Sequence, residues 1–207
     1  DSIAGKTLQP YGVTMSMNAS GIRTYASPYD LDMSAVDAYV VSEQTGEKLT
    51  LTPVTEAPAN TGMLLKAKND SQKGATVVLP LTTNAAAVGT NLLKPVLSSE
   101  TIVTQTDGDY TNFILANGTY GIDWYTLSEN GAIGANKAYL QLLTSNVPSS
   151  SSRGFTWVVD GGTTGIVDNK RETITNNHWY DLSGRKLSGK PTRKGLYIHN
   201  GKTVLVP

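Results

Sequence analysis

The chain of 207 residues contains no cysteine. Without cysteine the protein cannot form a disulfide framework, a zinc knuckle or a thiolate nucleophile. The same absence weakens any inference about the redox compartment.

Long apolar runs are also missing, since no segment approaches the roughly 18 consecutive apolar residues of a membrane-spanning helix. The chain begins at Asp1, with neither an initiating methionine nor a signal peptide. We therefore expect a mature protein or an excised fragment. We also expect no membrane span in this chain and upstream domains in a larger precursor.

Charged residues make up only 16% of the chain and hydrophobic residues 39%. Both fractions are below those of an average globular protein, and glycine, serine, threonine and asparagine take their place. This composition suits short strands joined by tight turns, and it does not suit long helices. The length allows one large β domain or two smaller ones.

Strand-like segments recur along the chain, and most end at residues that favour turns. The segments are AYVVS (38–42), KLTLTPV (48–54), GMLLKA (62–67), ATVVLPL (75–81), YTNFILA (110–116), TYGIDWYTL (119–127), KAYLQLL (137–143) and GFTWVVD (154–160). The clearest internal hairpin is FILANGTYGI, in which Asn117-Gly118 has the composition of a type I′ turn. The pattern predicts an all-β fold, with an antiparallel sandwich or barrel-like domain followed by a small β-hairpin module.

Helical periodicity is weak, and only two segments suggest a short turn of helix. In the first, Ser34 is placed to cap Ala35–Asp37. The second lies in TTNAAAVGTNLL (82–93). Neither is long enough to be stable without packing.

Charge is distributed unevenly, because residues 170–207 carry a net charge of +6 and residues 1–169 carry −6. A polar, glycine-rich boundary at 161–175 leads us to predict a β sandwich or barrel-like domain at 1–165 and a small basic β module at 172–207, packed on the first domain. This module could dock on its acidic neighbour or bind an external anionic surface such as a polysaccharide. Nucleic acid is disfavoured, since no aromatic stacking platform is interleaved with the basic residues. The candidate basic patch consists of Arg185, Lys186, Lys190, Arg193 and Lys194.

The last segment, KGLYIHNGKTVLV, has the pattern of a hairpin with a two-residue loop at Asn200-Gly201. This loop predicts that His199 faces Lys202 and that Tyr197 faces Val204. A further strand pair is predicted in WYDLSGRKL, turning at Ser183-Gly184. So small a unit is marginal alone, and for that reason we expect it to pack on the first domain.

The motif YDLSGRKL…KGLYIHNGKTVLV resembles the C-terminal signature of secreted and surface-anchored proteins of the Bacteroidetes type. Upstream, TYASPYDLDMSAVDAYVV, LTPVTEAPANTGMLLKA, TNFILANGTYGIDWY, GANKAYLQL and DGGTTGI resemble the module that often precedes this tail. Together the matching stretches span most of residues 21–207. The resemblance implies a region appended to leucine-rich-repeat or adhesion-type surface proteins, without catalytic residues, and an ending similar to a sorting tail.

Few residues suit catalysis. The two histidines lie in the predicted linker and beside the last hairpin turn, and neither a G-x-S-x-G elbow nor a phosphate-binding loop is present. The pairs Asp30/Asp32 and Asp107/Asp109 have the i, i+2 spacing that can gather around Ca²⁺, but they lack the other ligands of a calcium loop. Turn roles are favoured for them. We expect no enzymatic activity, no catalytic residue, no metal site and no cofactor.

Aromatic residues include ten tyrosines and three tryptophans. Tyr110, Tyr120 and Tyr125 are candidate ligand-binding residues, because flat aromatic faces can stack on sugar rings. The competing interpretation is that these rings fill the β core, which is their more common use. Alternation along the strand predicts that Trp124 is buried.

Residues and resemblance together favour a non-catalytic extracellular accessory or adhesion-type module of a bacterial cell-surface protein. A carbohydrate-binding module is the alternative, and a C-terminal secretion or surface-anchoring module is a second alternative. The expected location is extracellular or at the outer-membrane surface. The expected partners are a surface glycan or a host or extracellular protein.

Overall fold

The structure is a computed structural model. It describes residues 2–3, 6–7, 11–98, 101–119, 121–127, 130–148, 154–160, 179–180, 187, 189, 191–192, 194–199 and 202–206. The chain divides into two compact units, Asp1–Asn169 and Lys170–Pro207.

The first unit is built from strands, which confirms the predicted all-β class. They are β1 (Ser2–Ile3), β2 (Lys6–Thr7), β3 (Gly12–Ser16), β4 (Ile22–Tyr25), β5 (Leu31–Asp32), β6 (Asp37–Thr45), β7 (Lys48–Pro53), β8 (Glu56–Ala57), β9 (Met63–Lys66), β10 (Thr76–Pro80), β11 (Leu93–Val96), β12 (Thr101–Val103), β13 (Thr106–Asp107), β14 (Tyr110–Gly118), β15 (Gly121–Thr126), β16 (Gly131–Ile133), β17 (Lys137–Leu143) and β18 (Thr156–Val159). Within the described ranges, the helical segments are two single 3-10 turns, Asp70–Gln72 and Thr144–Asn146. Among these same residues, no helix has the length and apolar character needed to cross a membrane.

A five-stranded sheet in the order β18-β7-β6-β9-β4 lies at the centre of the first unit. Its strands carry apolar side chains on both faces. In β9, for example, the adjacent residues Leu64 and Leu65 are buried in different apolar clusters. A strand that is apolar on both faces must be covered on both faces. One pair departs from antiparallel order, because β18 runs parallel to β7 with Thr156 beside Lys48.

Other β elements cover both faces of this central sheet. One face packs on a second sheet, formed by β11, β17, β14, β13 and β15. The other face is covered by the ribbons β3–β10 and β5–β8. A third, smaller cluster lies between the second sheet and the ribbon β12–β16. The described strands from β3 to β18 therefore form four β layers with three apolar clusters between them.

The predicted hairpin FILANGTYGI forms as β14–β15, but its turn is not at Asn117-Gly118. Asn117 pairs with Ile122 and Gly118 pairs with Gly121, so the turn begins after Gly118. Gly118 is needed for packing, because a Cβ there would lie 2.5 Å from Cζ of the Tyr125 ring. The prediction of the turn position was wrong because a glycine in a strand can also mark a close approach of another group.

Neither predicted turn of helix forms. The Ser34 N–H donates to Asp32 Oδ1 at 2.7 Å instead of beginning a helix, and the Val36 N–H closes a turn on Met33 O at 3.1 Å. Residues 82–92 have no helical structure. Short polar side chains offer backbone groups an alternative to helical hydrogen bonds, which explains the first of these two outcomes.

The second unit contains a three-stranded sheet with the order β19-β20-β21. The strands are β19 (Trp179–Tyr180), β20 (Gly195–His199) and β21 (Lys202–Val206). The β20–β21 register is the predicted one, with His199 opposite Lys202 and Tyr197 opposite Val204. The predicted turn at Ser183-Gly184 lies outside the described residues, and the packing of this module on the first stays a prediction.

Candidate binding groove

Two of the three candidate sugar-binding tyrosines are far apart. Tyr110 begins β14 opposite Leu143, and both side chains are 42% exposed. Tyr125 lies opposite Ile114, four residues farther along β14, which corresponds to about 13 Å in an extended strand. The structure therefore does not bring Tyr110 and Tyr125 together. Tyr120 lies outside the described residues.

Tyr125 has a structural role in the hairpin. Its ring covers Gly118, and its hydroxyl donates to the Gly121 carbonyl at 2.8 Å. An aromatic ring over a strand glycine supplies the contacts that the glycine lacks. Tyr110 is the better exposed of these two rings.

The candidate basic patch is only partly visible. Arg185, Lys186, Lys190 and Arg193 lie outside the described residues. Lys194 is exposed and immediately precedes β20. The patch as a whole stays a prediction.

All four aspartates with ligand-like spacing occupy backbone-acceptor or turn positions. Asp32 accepts the Ser34 N–H at 2.7 Å. Asp30 accepts the Ala59 N–H at 2.8 Å through Oδ1 and the Ala85 N–H at 3.2 Å through Oδ2. Asp107 ends β13 opposite Tyr110, and Asp109 lies in the turn between β13 and β14. In the part of the chain that the structure describes, no three His, Cys, Asp or Glu side chains gather as metal ligands would.

Asp123 is 5% exposed and ties the second sheet to the segment that begins β18. Its Oδ2 accepts the Phe155 N–H at 3.0 Å. Its Oδ1 accepts the Trp124 N–H at 2.7 Å and the Trp157 indole N–H at 3.2 Å. Gly154 allows this approach, since it has a φ of 82° and a Cβ on it would lie 2.0 Å from Asp123 Oδ2. The carboxylate joins two elements through donors that would otherwise be buried without partners.

An open groove of about 350 Å³ lies between β4, which is the edge strand of the central sheet, and the β14–β15 hairpin, beside the start of β17. Its apolar wall continues the first cluster outward, because Ile22 is buried in that cluster and Leu115 and Ile122 pack against it. The lining includes two basic residues and no acidic residue. The complete lining is Asn18, Ser20, Ile22, Arg23, Thr24, Leu115, Ala116, Asn117, Ile122 and Lys137.

Two side-chain hydrogen bonds fix the start of β17 beside β4. Thr24 Oγ1 accepts the Ala138 N–H at 3.2 Å, and the Asn136 amide donates to the Ala26 carbonyl at 3.0 Å. Asn136 has a left-handed φ of 57°, a conformation that asparagine tolerates better than most residues. Lys137 lies between these two anchors, exposed at the groove.

Arg23 is held by local contacts. Its guanidinium donates to the carbonyls of Ser16 and Thr24 and lies 5.6 Å from the centroid of the Tyr25 ring. Burial lowers the pKa of Arg23 from its ordinary value, and the interaction with Tyr25 opposes this shift. An arginine keeps its charge at physiological pH despite such a shift.

The groove combines fixed positive charge with an apolar wall. Within the described ranges neither Arg23 nor Lys137 forms an ion pair, and Asn117, whose backbone pairs with Ile122, exposes its side chain at the groove. The groove can therefore offer hydrogen-bond donors and a positive field to an anionic, partly apolar ligand. Sequence reasoning missed it, because Arg23 and Lys137 meet only through the packing of β4 against β17.

No protein-family model, no curated protein and no solved structure matches this chain.

Proposed function

We propose that this chain is a non-catalytic accessory module, of adhesion type, from a bacterial cell-surface protein. The observation that carries its non-catalytic part is the structural use of two carboxylates, those of Asp123 and Asp30. Both oxygens of Asp123 and both oxygens of Asp30 accept backbone N–H groups. A catalytic carboxylate needs an oxygen within hydrogen-bond reach of a substrate proton, and these two are occupied by the fold.

An extracellular or outer-membrane-surface location is supported by the sequence motif YDLSGRKL…KGLYIHNGKTVLV. The unit that contains this motif, Lys170–Pro207, is compact by itself. This separation favours a second candidate function for that unit, a sorting or anchoring module. Removing residues 172–207 from the precursor should then abolish its display on the cell surface. Unchanged display, measured by protease accessibility of intact cells, would contradict the sorting role.

Carbohydrate binding is a further candidate, favoured by exposed aromatic rings. Tyr11 is 81% exposed and Tyr29 is 55% exposed. Both lie near the end of the β3–β10 ribbon, since the Tyr11 carbonyl accepts the Leu81 N–H and Leu81 bridges to Leu31. Exposed tyrosines of this kind provide amphipathic surfaces for binding.

The accessory function is tested by combining a binding assay and a cleavage assay on the same samples. The full chain is incubated with insoluble polysaccharides and with immobilised extracellular-matrix proteins. Retained protein and newly formed reducing ends or peptide fragments are then measured. We expect retention on at least one surface and no cleavage. Cleavage of any substrate would contradict the non-catalytic role, and lack of retention on every surface would contradict the adhesion role.

A further inference from the structure

We propose that the groove between β4 and the β14–β15 hairpin binds an acidic glycan, whose carboxylate or sulfate groups contact Lys137 and Arg23. The choice of a glycan rests on the proposed adhesion function. The preference for an anion rests on the groove alone.

The lining of the groove is positively charged. Two of its ten lining residues are basic and none is acidic, although residues 1–169 as a whole carry a net charge of −6. A local concentration of positive charge on an acidic unit is a focused electrostatic feature, which attracts anionic ligands over neutral ones.

Arg23 and Lys137 offer hydrogen-bond donors to a ligand in the groove. The guanidinium of Arg23 uses Nε and Nη1 to reach two carbonyls, which fixes the group and leaves N–H donors on Nη2. Lys137 is exposed, and its backbone is anchored by the bonds that Asn136 and Ala138 make to β4. A fixed guanidinium and an adjacent ammonium are suited to carboxylates and sulfates, because charge-assisted hydrogen bonds are the stronger ones.

The rest of the lining indicates a sugar rather than a small inorganic anion. Leu115 and Ile122 form an apolar wall that remains partly exposed, and the exposed Asn117 lies opposite Ile122 on the same hairpin. A sugar ring has an apolar face for such a wall and hydroxyl groups for an amide. A cavity of about 350 Å³ has the size of a small-molecule site.

The test is affinity electrophoresis, which measures how far the full chain is retarded in gels that contain polygalacturonate, dextran sulfate or neutral dextran. We expect retardation by one or both polyanions, and weaker retardation as salt is added. Lys137→Gln should reduce the affinity about fivefold, and Lys137→Glu should abolish the retardation, because it places a like charge in the groove. The two polyanions distinguish a carboxylate from a sulfate ligand.

A matched variant identifies the site. Lys48→Gln removes an exposed lysine from β7, outside the groove. It should bind polyanions like the unchanged protein. Equal weakening by Lys137→Gln and Lys48→Gln would overturn the groove assignment in favour of diffuse attraction. Retardation by neutral dextran that Lys137→Gln does not affect would also overturn it while leaving the adhesion function intact. If none of the three gels retards the protein while matrix proteins retain it, the groove assignment is likewise overturned and the adhesion function stands.

Discussion

A methyl group on Gly154 would lie 2.0 Å from Asp123 Oδ2, and the residue has a φ of 82°. Two separate constraints therefore act on one position, a left-handed backbone and a close carboxylate. Gly46 has a similar φ of 57°, but a methyl group there would meet nothing within 4 Å, so it carries the first constraint alone. Alanine substitutions at Gly154 and Gly46 therefore separate the cost of backbone strain from the cost of losing the Asp123 contacts.

We predict that Gly154→Ala lowers the free energy of unfolding by about 3 kcal/mol or more, because the methyl group must displace a buried, hydrogen-bonded carboxylate. Gly46→Ala should cost only about 1 kcal/mol, which is the usual penalty for a left-handed alanine. Urea denaturation followed by tryptophan fluorescence measures both. Equal costs for the two variants would show that the Asp123 contacts contribute little.

Substituting Asp123 tests the contacts of its carboxylate directly. Asp123→Ala should lower the free energy of unfolding by about 3 kcal/mol, because it leaves the buried Phe155 N–H and Trp157 indole N–H without an acceptor. Asp32→Ala is the matched control, since it removes an acceptor for one exposed N–H. A similar, small effect of both substitutions on the urea midpoint would contradict a structural role for Asp123.

Titration of the partly buried Tyr39 should weaken the fold at alkaline pH. Burial raises the pKa of Tyr39, and the nearby Asp37 carboxylate raises it further. In the unfolded chain tyrosine ionises at about pH 10, so the unfolded state loses its proton first as the pH rises. The free energy of unfolding should therefore fall above about pH 10 and be insensitive to this group below it. Tyr39→Phe should reduce the alkaline loss, measured as the change in urea midpoint between neutral and alkaline buffers. A variant with the same alkaline loss as the unchanged protein would exclude Tyr39 as a source.

At the scale of single strands, β9 and β10 show the difference between two-sided and one-sided burial. Leu64 and Leu65 are both buried although they point to opposite faces of the central sheet. In β10 Val77 is buried, whereas its neighbour Val78 is 44% exposed. The two strands thus form an internal comparison.

We predict that Leu64→Ala and Leu65→Ala each lower the free energy of unfolding by about 2–5 kcal/mol, as large-to-small substitutions in a core do. Val77→Ala should be clearly destabilising, and Val78→Ala should be close to neutral. Chemical denaturation of the four variants gives the comparison. A neutral Leu64→Ala or Leu65→Ala would contradict the layered arrangement.

Strands and local turns were accessible from the sequence, because the period of two and the turn residues act over a few positions. The C-terminal register followed from a two-residue loop for the same reason. The parallel pairing of β18 with β7 was not accessible, since no local signal connects residue 156 to residue 48. The groove was not predicted either, because no local signal connects β4 to β17. Gly118 was assigned to a turn because a glycine in a strand can serve either a turn or the close approach of a neighbouring ring.

For the molecule as a whole, the three apolar clusters formed by the described residues of the first unit, with the partly buried residues packed against them, lie between Val13 and Val159. A cluster supplied wholly from one unit supports independent folding of that unit. The net charges of +6 and −6 then belong to two separate compact units.

We predict that a fragment of residues 1–169 unfolds in a single cooperative transition, with an unfolding midpoint close to that of the whole chain. Thermal and urea unfolding followed by circular dichroism and by fluorescence should give coincident curves for the fragment. A broad or probe-dependent transition would show that residues 170–207 are a structural part of the first unit.

The parallel strand β18 also has a consequence for biogenesis. A polypeptide that leaves a ribosome or a translocation pore amino end first presents β7 long before its partner strand β18, which contains Trp157, exists. Closing so long a loop is slow, and the waiting intermediate exposes a strand edge that other chains can pair with. Refolding rates, rather than final stability, are where this connection should be most visible.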